Sequence, residues 1–244
     1  MERIISRITL HHFGSSSRSI HSPTKTITSL LDRLDAVCFD VDSTVCKEEG
    51  IDVLAHYQGV GKAVGNLTNN AMDGDMKFED ALAKRLQLIK PSLNDIRNCL
   101  CRYPPALSDG IQELIMTLEK KEICVFLISG GFRLMIEPVA RQLEIPESNI
   151  FANTLYFDDD GAYRGFDSRE FTSADGGKAK AVAEIKRVYG HKVVAMVGDG
   201  MTDAQAVPPA DLFIGYGGIV ARESVRAKAD YFITHFDELN RLLM

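Results

Sequence analysis

Asp40 and Asp42 stand two positions apart in "CFDVDSTVC", directly after an apolar run. Carboxylates held that close repel, and with no positive charge nearby one of them takes up a proton. A hard cation would resolve the repulsion. Magnesium takes about six oxygens at roughly 2.0–2.1 Å, commonly one or two carboxylates with waters and a substrate phosphate. Asp40 and Asp199, the latter in "GDGMTD", can each supply a side-chain oxygen. Asp42 would offer its backbone carbonyl and keep its side chain free. Two further stretches suit a phosphate. Ser129, with the amides of Gly130 and Gly131 at a helix start, brings a hydroxyl and backbone donors. Glycine there lets the backbone approach an anion closely. Lys178, opening a later helix in "GGKAKA", brings a positive charge, and a unit charge pair at 4 Å is worth about 4 kcal/mol at an effective dielectric of 20. Singly, a Gly-Gly pair is usually a turn and a lysine usually a solvated side chain. Together they fit phosphoryl transfer.

Competing chemistries fail on spacing. As an EF-hand starting at Asp40, the chain would need glycine at Val45 and glutamate at Ile51. No cysteine is followed six positions later by arginine, which excludes a cysteine phosphatase, and no Cys/His cluster has zinc spacing.

These residues need a frame. "DAVCFDV" (35–41), "ICVFLIS" (123–129), "KVVAMVG" (192–198), "DLFIGY" (211–216) and "YFIT" (231–234) read as buried strands, since they are apolar without polar alternation. Helical patterns lie at about 108–121, 132–143, 177–190 and 221–228. Strand–helix alternation of this kind predicts an α/β fold, a doubly wound parallel sheet. Residues 47–104 carry helical patterns and no convincing strand, so an inserted helical cap is expected there. The core is then 35–46 and 105–244. "NTLYFDDDGAYRGFD" (153–167) reads as a β-hairpin about Asp160-Gly161. Ligands of open α/β sheets bind at the carboxyl ends of the strands. The aspartate pair, the serine–glycine stretch and "GDGMTD" all fall at such ends, each more than 60 residues from the next.

Bulk properties narrow the class. With 45% hydrophobic and 25% charged residues, the chain is ordinary for a globular protein. A net charge of −6 argues against a general nucleic-acid binder, and no apolar run approaches a membrane span of about 18 residues. The five cysteines form no CxxC and read as reduced structural thiols, with Cys99 and Cys101 pointing apart on one helix. Residues 1–34 differ from the rest: they carry +3 against −9, and they are Arg- and Ser-rich. That is the composition of an organellar transit peptide, for plastid or mitochondrion, with cleavage expected before the strand near Asp35; otherwise the chain is cytoplasmic.

"DVDST", "SGG", a lysine opening a later helix and "GDGMTD" resemble, in order, the four motifs of the haloacid dehalogenase superfamily. With "EEGID", "FLISGGFR", "FAN" and "PPADLFIGYGG", the stretch from about residue 35 onward is similar to its phosphoserine phosphatase family. The resemblance implies an aspartyl-phosphate mechanism with magnesium, in the last step of serine biosynthesis. Asp40 would be the nucleophile and Asp42 the general acid and base. Asp40, the Asp42 carbonyl and Asp199 would hold the metal. Ser129, Gly130, Gly131, Lys178 and Thr202 would bind the phosphoryl oxygens. Thr44 and Asp203 would support them, Asp203 by positioning Lys178 or a metal-bound water. In the cap, Glu49 and Arg85 stand at the family's positions for the substrate amine and carboxylate, and Met72 and Asp73 in its substrate loop. The chain departs from the family at "MDGD", where Asp73 replaces a glycine, and at Met201 and Gln205, where Ala and Glu are common. A carboxylate at 73 would oppose a phosphate. The partner implied is a small phosphomonoester, with no nucleic acid and no membrane; a second copy of the chain, as a homodimer, stays open. Two other readings compete: the same chemistry on another small phosphomonoester, and a receiver-like phosphate-binding module, which leaves the helical insert unexplained.

Overall fold

A computed structural model of the chain describes residues 24–72 and 77–244, the side chains of 68–72 set aside. In chain order its strands are β1 (Ala36–Phe39), β2 (Cys124–Phe132), β3 (Ile150–Asn153), β4 (Leu155–Phe157), β5 (Tyr163–Phe166), β6 (Val194–Gly198), β7 (Leu212–Tyr216) and β8 (Tyr231–Ile233). Six of them form a parallel sheet in the order β3-β2-β1-β6-β7-β8. β1 lies inside it, with Phe39 opposite Leu127 on one side and Val197 on the other. Every residue of β1, β6 and β7 is buried, which is why these strands read as unbroken apolar runs. β4 and β5 pair antiparallel as a separate hairpin.

The helices are α1 (Lys25–Leu31), α2 (Gly50–Tyr57), α3 (Gly61–Met72), α4 (Phe78–Ile89), α5 (Leu93–Arg102), α6 (Ile111–Lys120), α7 (Arg133–Gln142), α8 (Gly177–Tyr189), α9 (Met201–Ala204), α10 (Glu223–Lys228) and α11 (Phe236–Leu243). One face of the sheet packs against α1, α6, α7 and α11, through Leu31, Leu114, Leu118, Val139 and Leu239. The other packs against α8 and α10, through Val182, Ile185 and Val225. This is the two-faced coverage a parallel sheet requires.

Helices α2 to α5 build a third apolar cluster from Leu54, Leu82, Leu86 and Ile96, with Met135 of α7 and Leu155 of the hairpin. The Ser92 hydroxyl and Asp95 carboxylate cap the start of α5 reciprocally, and the Leu93 amide donates to the Gly161 carbonyl at the hairpin tip, 2.9 Å. The hairpin therefore braces the helical insert. Cys99 is buried and Cys101 exposed, and all five cysteines are free thiols.

Four elements have no counterpart in the periodicity reading: α1, β3, α9 and α11. β3 has four residues, too few for a pattern. α1 lies in the N-terminal stretch, yet Ile27, Leu31 and Leu34 are buried in the main core. The packed core thus begins before Asp35. Also, β2 runs through Ser129, Gly130 and Gly131 to Phe132, so α7 starts two residues after the glycines.

Candidate active site

Asp40 follows the last residue of β1, and its Oδ1 accepts the Val41 amide at 2.8 Å. The chain then makes a wide turn over Val41–Val45, closed by the Cys46 amide on the Val41 carbonyl at 2.8 Å. Ser43 sits in that turn with φ at 55°, a left-handed conformation uncommon for a residue with a Cβ. Its hydroxyl donates to Glu49 Oε1 at 2.7 Å. Such strain persists only where surrounding contacts over-determine it.

Asp42 is held from two elements. Its Oδ1 accepts the Gly50 amide at 2.7 Å, and its Oδ2 accepts the Ser129 hydroxyl at 2.7 Å. Ser129 Oγ in turn accepts the Gly131 amide at 2.7 Å. A Cβ at position 131 would stand 2.9 Å from Asp42 Oδ2 and 3.0 Å from Ser129 Oγ, so the close approach requires glycine. Asn153 at the end of β3 donates to the Gly130 carbonyl at 2.8 Å and fixes the loop from behind.

Lys178, in the first turn of α8, reaches Asp40 Oδ1 at 2.7 Å and Asp203 Oδ1 at 2.6 Å. Burial works to lower the pKa of this ammonium, but the Asp203 and Asp40 carboxylates outweigh it and hold the lysine charged. Asp203, fully buried on α9, receives the Gly200 amide on its other oxygen at 2.9 Å. Asp199 follows β6. Its Oδ2 meets Arg222 Nη1, which also donates to the Asp199 carbonyl at 2.9 Å.

The side-chain oxygens of Asp40, Asp199 and Asp203 lie within 4.8 Å of one another and all three residues are buried. Burial, then Asp203, Asp199 and Asp42 push the Asp40 carboxyl well above the usual carboxylate range, against Lys178. Burial raises Asp199 too, against Arg222. A cluster of hard oxygen donors that resists carrying its own charge fits a divalent metal ion. Asp203 is the least free of the three, since Lys178 and Gly200 take one oxygen each. The Thr44 hydroxyl is buried and meets no hydrogen-bond partner among the described residues. Thr202 is exposed at the rim on α9.

Glu49 immediately precedes α2, and Arg85 lies on α4. Burial and then Asp42 push the Glu49 carboxyl up to about 7, against the Ser43 hydrogen bond. Arg85 donates from Nε to the Ala81 carbonyl at 3.3 Å. Burial lowers its pKa while Asp52, Glu49 and Asp42 act to raise it. Glu49 and Arg85 thus both lie within reach of the Asp42 charge. The side chain of Met72 and the whole of Asp73 lie outside the described residues.

Three contributors escaped the sequence reading. Arg222 grips Asp199, and its place after the carboxyl end of β7 was the available signal. Asp52 is the first acidic influence on Arg85. Phe78 lies over Gly130, where a Cβ would meet the ring at 3.0 Å.

The sheet and its acidic rim define a haloacid dehalogenase-like hydrolase, and the sequence model of that family matches residues 34–211. The chloroplastic phosphoserine phosphatase of Arabidopsis thaliana is 53% identical over 219 residues, which are 89% of this chain and 74% of that protein. A solved structure of DsGPDH from Dunaliella salina aligns with a TM-score of 0.80 at 35% identity, over 91% of this chain but only 38% of its own. A solved phospho-aspartyl intermediate analogue of phosphoserine phosphatase aligns with a TM-score of 0.75 at 27% identity, over 87% of this chain and all of its own. This chain belongs to the phosphoserine phosphatases of the haloacid dehalogenase-like hydrolases.

Proposed function

We propose that this protein hydrolyses O-phospho-L-serine to L-serine and phosphate with Asp40 as nucleophile and Mg²⁺ as the resident metal, in the last step of serine biosynthesis. The observation that carries the reading is the buried Asp40 carboxylate, 2.7 Å from the Lys178 ammonium, beside an Asp42 that two elements hold in place. A carboxylate oxygen of Asp40 attacks phosphorus, the serine–phosphorus ester bond breaks, and Asp42 gives the departing serine oxygen a proton. Asp42 then takes a proton from the water that attacks the aspartyl phosphate, freeing Asp40 and inorganic phosphate. Splitting one hard displacement into two is what a covalent nucleophile offers, and positioned acid–base help is worth about 10² to 10⁴-fold. Lys178, Ser129, Gly130 and Gly131 bind the phosphoryl oxygens, with Thr202 at the rim. Asp203 positions Lys178, and Thr44 supports the loop. Asp40, Asp199 and the Asp42 carbonyl would hold the metal, which neutralises negative charge on the phosphoryl group.

Substrate choice rests on the cap, residues about 47–104. Glu49 pairs with the ammonium of phosphoserine and Arg85 with its carboxylate, a planar group that guanidinium grips bidentately. Met72 and Asp73 stand at the family's substrate-binding positions, and a carboxylate at 73 weakens phosphate binding. No described helix is long and apolar enough to cross a membrane. The basic, acid-poor N-terminal stretch supports delivery to an organelle, with the chloroplastic relative favouring a plastid; a fluorescent fusion of residues 1–34 tests this.

The test is phosphate release from phosphoserine, with magnesium and with EDTA, by the wild type and by Asp40→Asn. Wild-type turnover is EDTA-sensitive, and Asp40→Asn loses at least about a thousandfold with an unchanged circular dichroism spectrum. Normal turnover by a folded Asp40→Asn protein removes the mechanism.

A further inference from the structure

A cavity of about 640 Å³ opens at the hinge of the cap, within the roughly 300–1,000 Å³ range of small-molecule sites. Among the described residues its lining shares Asp42, Ser43, Glu49, Gly50 and Asp52 with the site above. It includes none of Asp40, Ser129, Lys178, Asp199 or Arg85. Its walls come from both halves of the molecule: Val41, Ile136 and Val139 from the core, Val53 and Leu100 from the cap. The two chain segments joining those halves run along it. The Lys47 amide donates to the Ala106 carbonyl at 2.9 Å, and the Ala106 amide donates to Glu48 Oε2 at 3.2 Å.

The polar lining carries both signs of charge. Glu48 and Asp52 are exposed acids; Arg102 is an exposed base. Arg102 lies 5.6 Å over the Tyr103 ring and forms no ion pair among the described residues. An apolar chamber with separate acidic and basic groups complements a molecule with a large apolar body and a zwitterionic head.

We propose that this cavity is a regulatory site for an α-amino acid with a large apolar side chain. The side chain fills the Val53–Val139 chamber, the ammonium meets Glu48 and Asp52, and the carboxylate meets Arg102. A ligand that touches cap and core in one arrangement favours that arrangement by its differential affinity alone. Occupancy therefore slows any step that needs the linkers to flex.

L-phenylalanine is the probe, titrated calorimetrically into the full chain, with 2-phenylethylamine as the analogue lacking the carboxylate. The heat is read without substrate, so it stands whether or not phosphoserine is turned over. Saturable 1:1 binding is expected, weaker for 2-phenylethylamine, with a lowered kcat and unchanged KM in the phosphatase assay. Arg102→Ala at the surface and Val53→Phe in the chamber should each weaken binding about tenfold or more while leaving basal kcat unchanged. No saturable heat at the solubility limit overturns the proposal. Competition with phosphoserine, or undiminished binding in a folded Arg102→Ala protein, overturns it as well.

Discussion

Asp42 owes its position to two hydrogen bonds of different origin, from Gly50 of the cap and from Ser129 of β2, whose hydroxyl oxygen in turn accepts the Gly131 amide. Such a carboxylate has little freedom, which is what proton transfer at a defined atom demands. Arg85 is different. On the proposed reading it contributes charge to substrate recognition and nothing to the displacement itself. Arg85→Ala should raise the KM for phosphoserine about ten- to hundredfold, the worth of a charged hydrogen bond, and leave that for p-nitrophenyl phosphate nearly unchanged. Steady-state kinetics on both substrates check this, and equal effects would refute the assignment. Glu49 supplies a pH test. Burial and then the Asp42 charge push its carboxyl up to about 7, so as pH falls below that it becomes neutral and loses its attraction for the substrate ammonium. The KM of phosphoserine relative to p-nitrophenyl phosphate should therefore rise as pH falls through 7, and Glu49→Gln should flatten the profile. The folded state also binds this proton more tightly than the unfolded chain, whose value is 4.5. The contribution of Glu49 to stability therefore falls as pH rises from about 4.5 to 7.

The strands set where those groups meet, and the helices hold the strands. α1 is the instructive case. Its seven residues begin with a Thr24 cap on the Ile27 amide, and it buries Ile27 and Leu31 against the core. A protein beginning at residue 35 should lose that packing, at roughly 1.5–3 kcal/mol for each buried aliphatic side chain. It should therefore melt several degrees below one beginning at residue 24. Thermal denaturation of the two decides it, and equal midpoints would show that α1 is dispensable. Cleavage at residue 34 would remove a packed helix, so a transit-peptide boundary nearer residue 24 agrees better with the fold.

Taken as one body, the protein gathers three buried carboxyl groups, of Asp40, Asp199 and Asp203, at the rim of the sheet. Folding carries the cost of that repulsion, and a bound divalent ion relieves it. Anything that binds the native state alone stabilises it by about 2.7 kcal/mol at a hundred times its Kd. Magnesium should accordingly raise the melting temperature of the wild type and much less that of Asp199→Asn. No shift in the wild type would argue against a metal at this cluster.

Most of the candidate site was legible from one dimension. The aspartate pair, "SGG", Lys178 and "GDGMTD" sit at strand ends, and apolar runs mark strands because a parallel sheet buries both faces. The cap was legible as a break in that rhythm. What lay beyond reach has a common cause. β3 is too short to show a period, and α1 carries only two deeply buried side chains. The grip of Arg222 on Asp199, the Phe78 ring over Gly130, the brace of the hairpin on α5 and the hinge cavity join residues far apart in the chain. The sequence by itself determined which groups could do chemistry and on which kind of element each stands. Only the tertiary structure decided which of them face one another, because a side chain's partners across the fold depend on how layers pack and leave no local pattern.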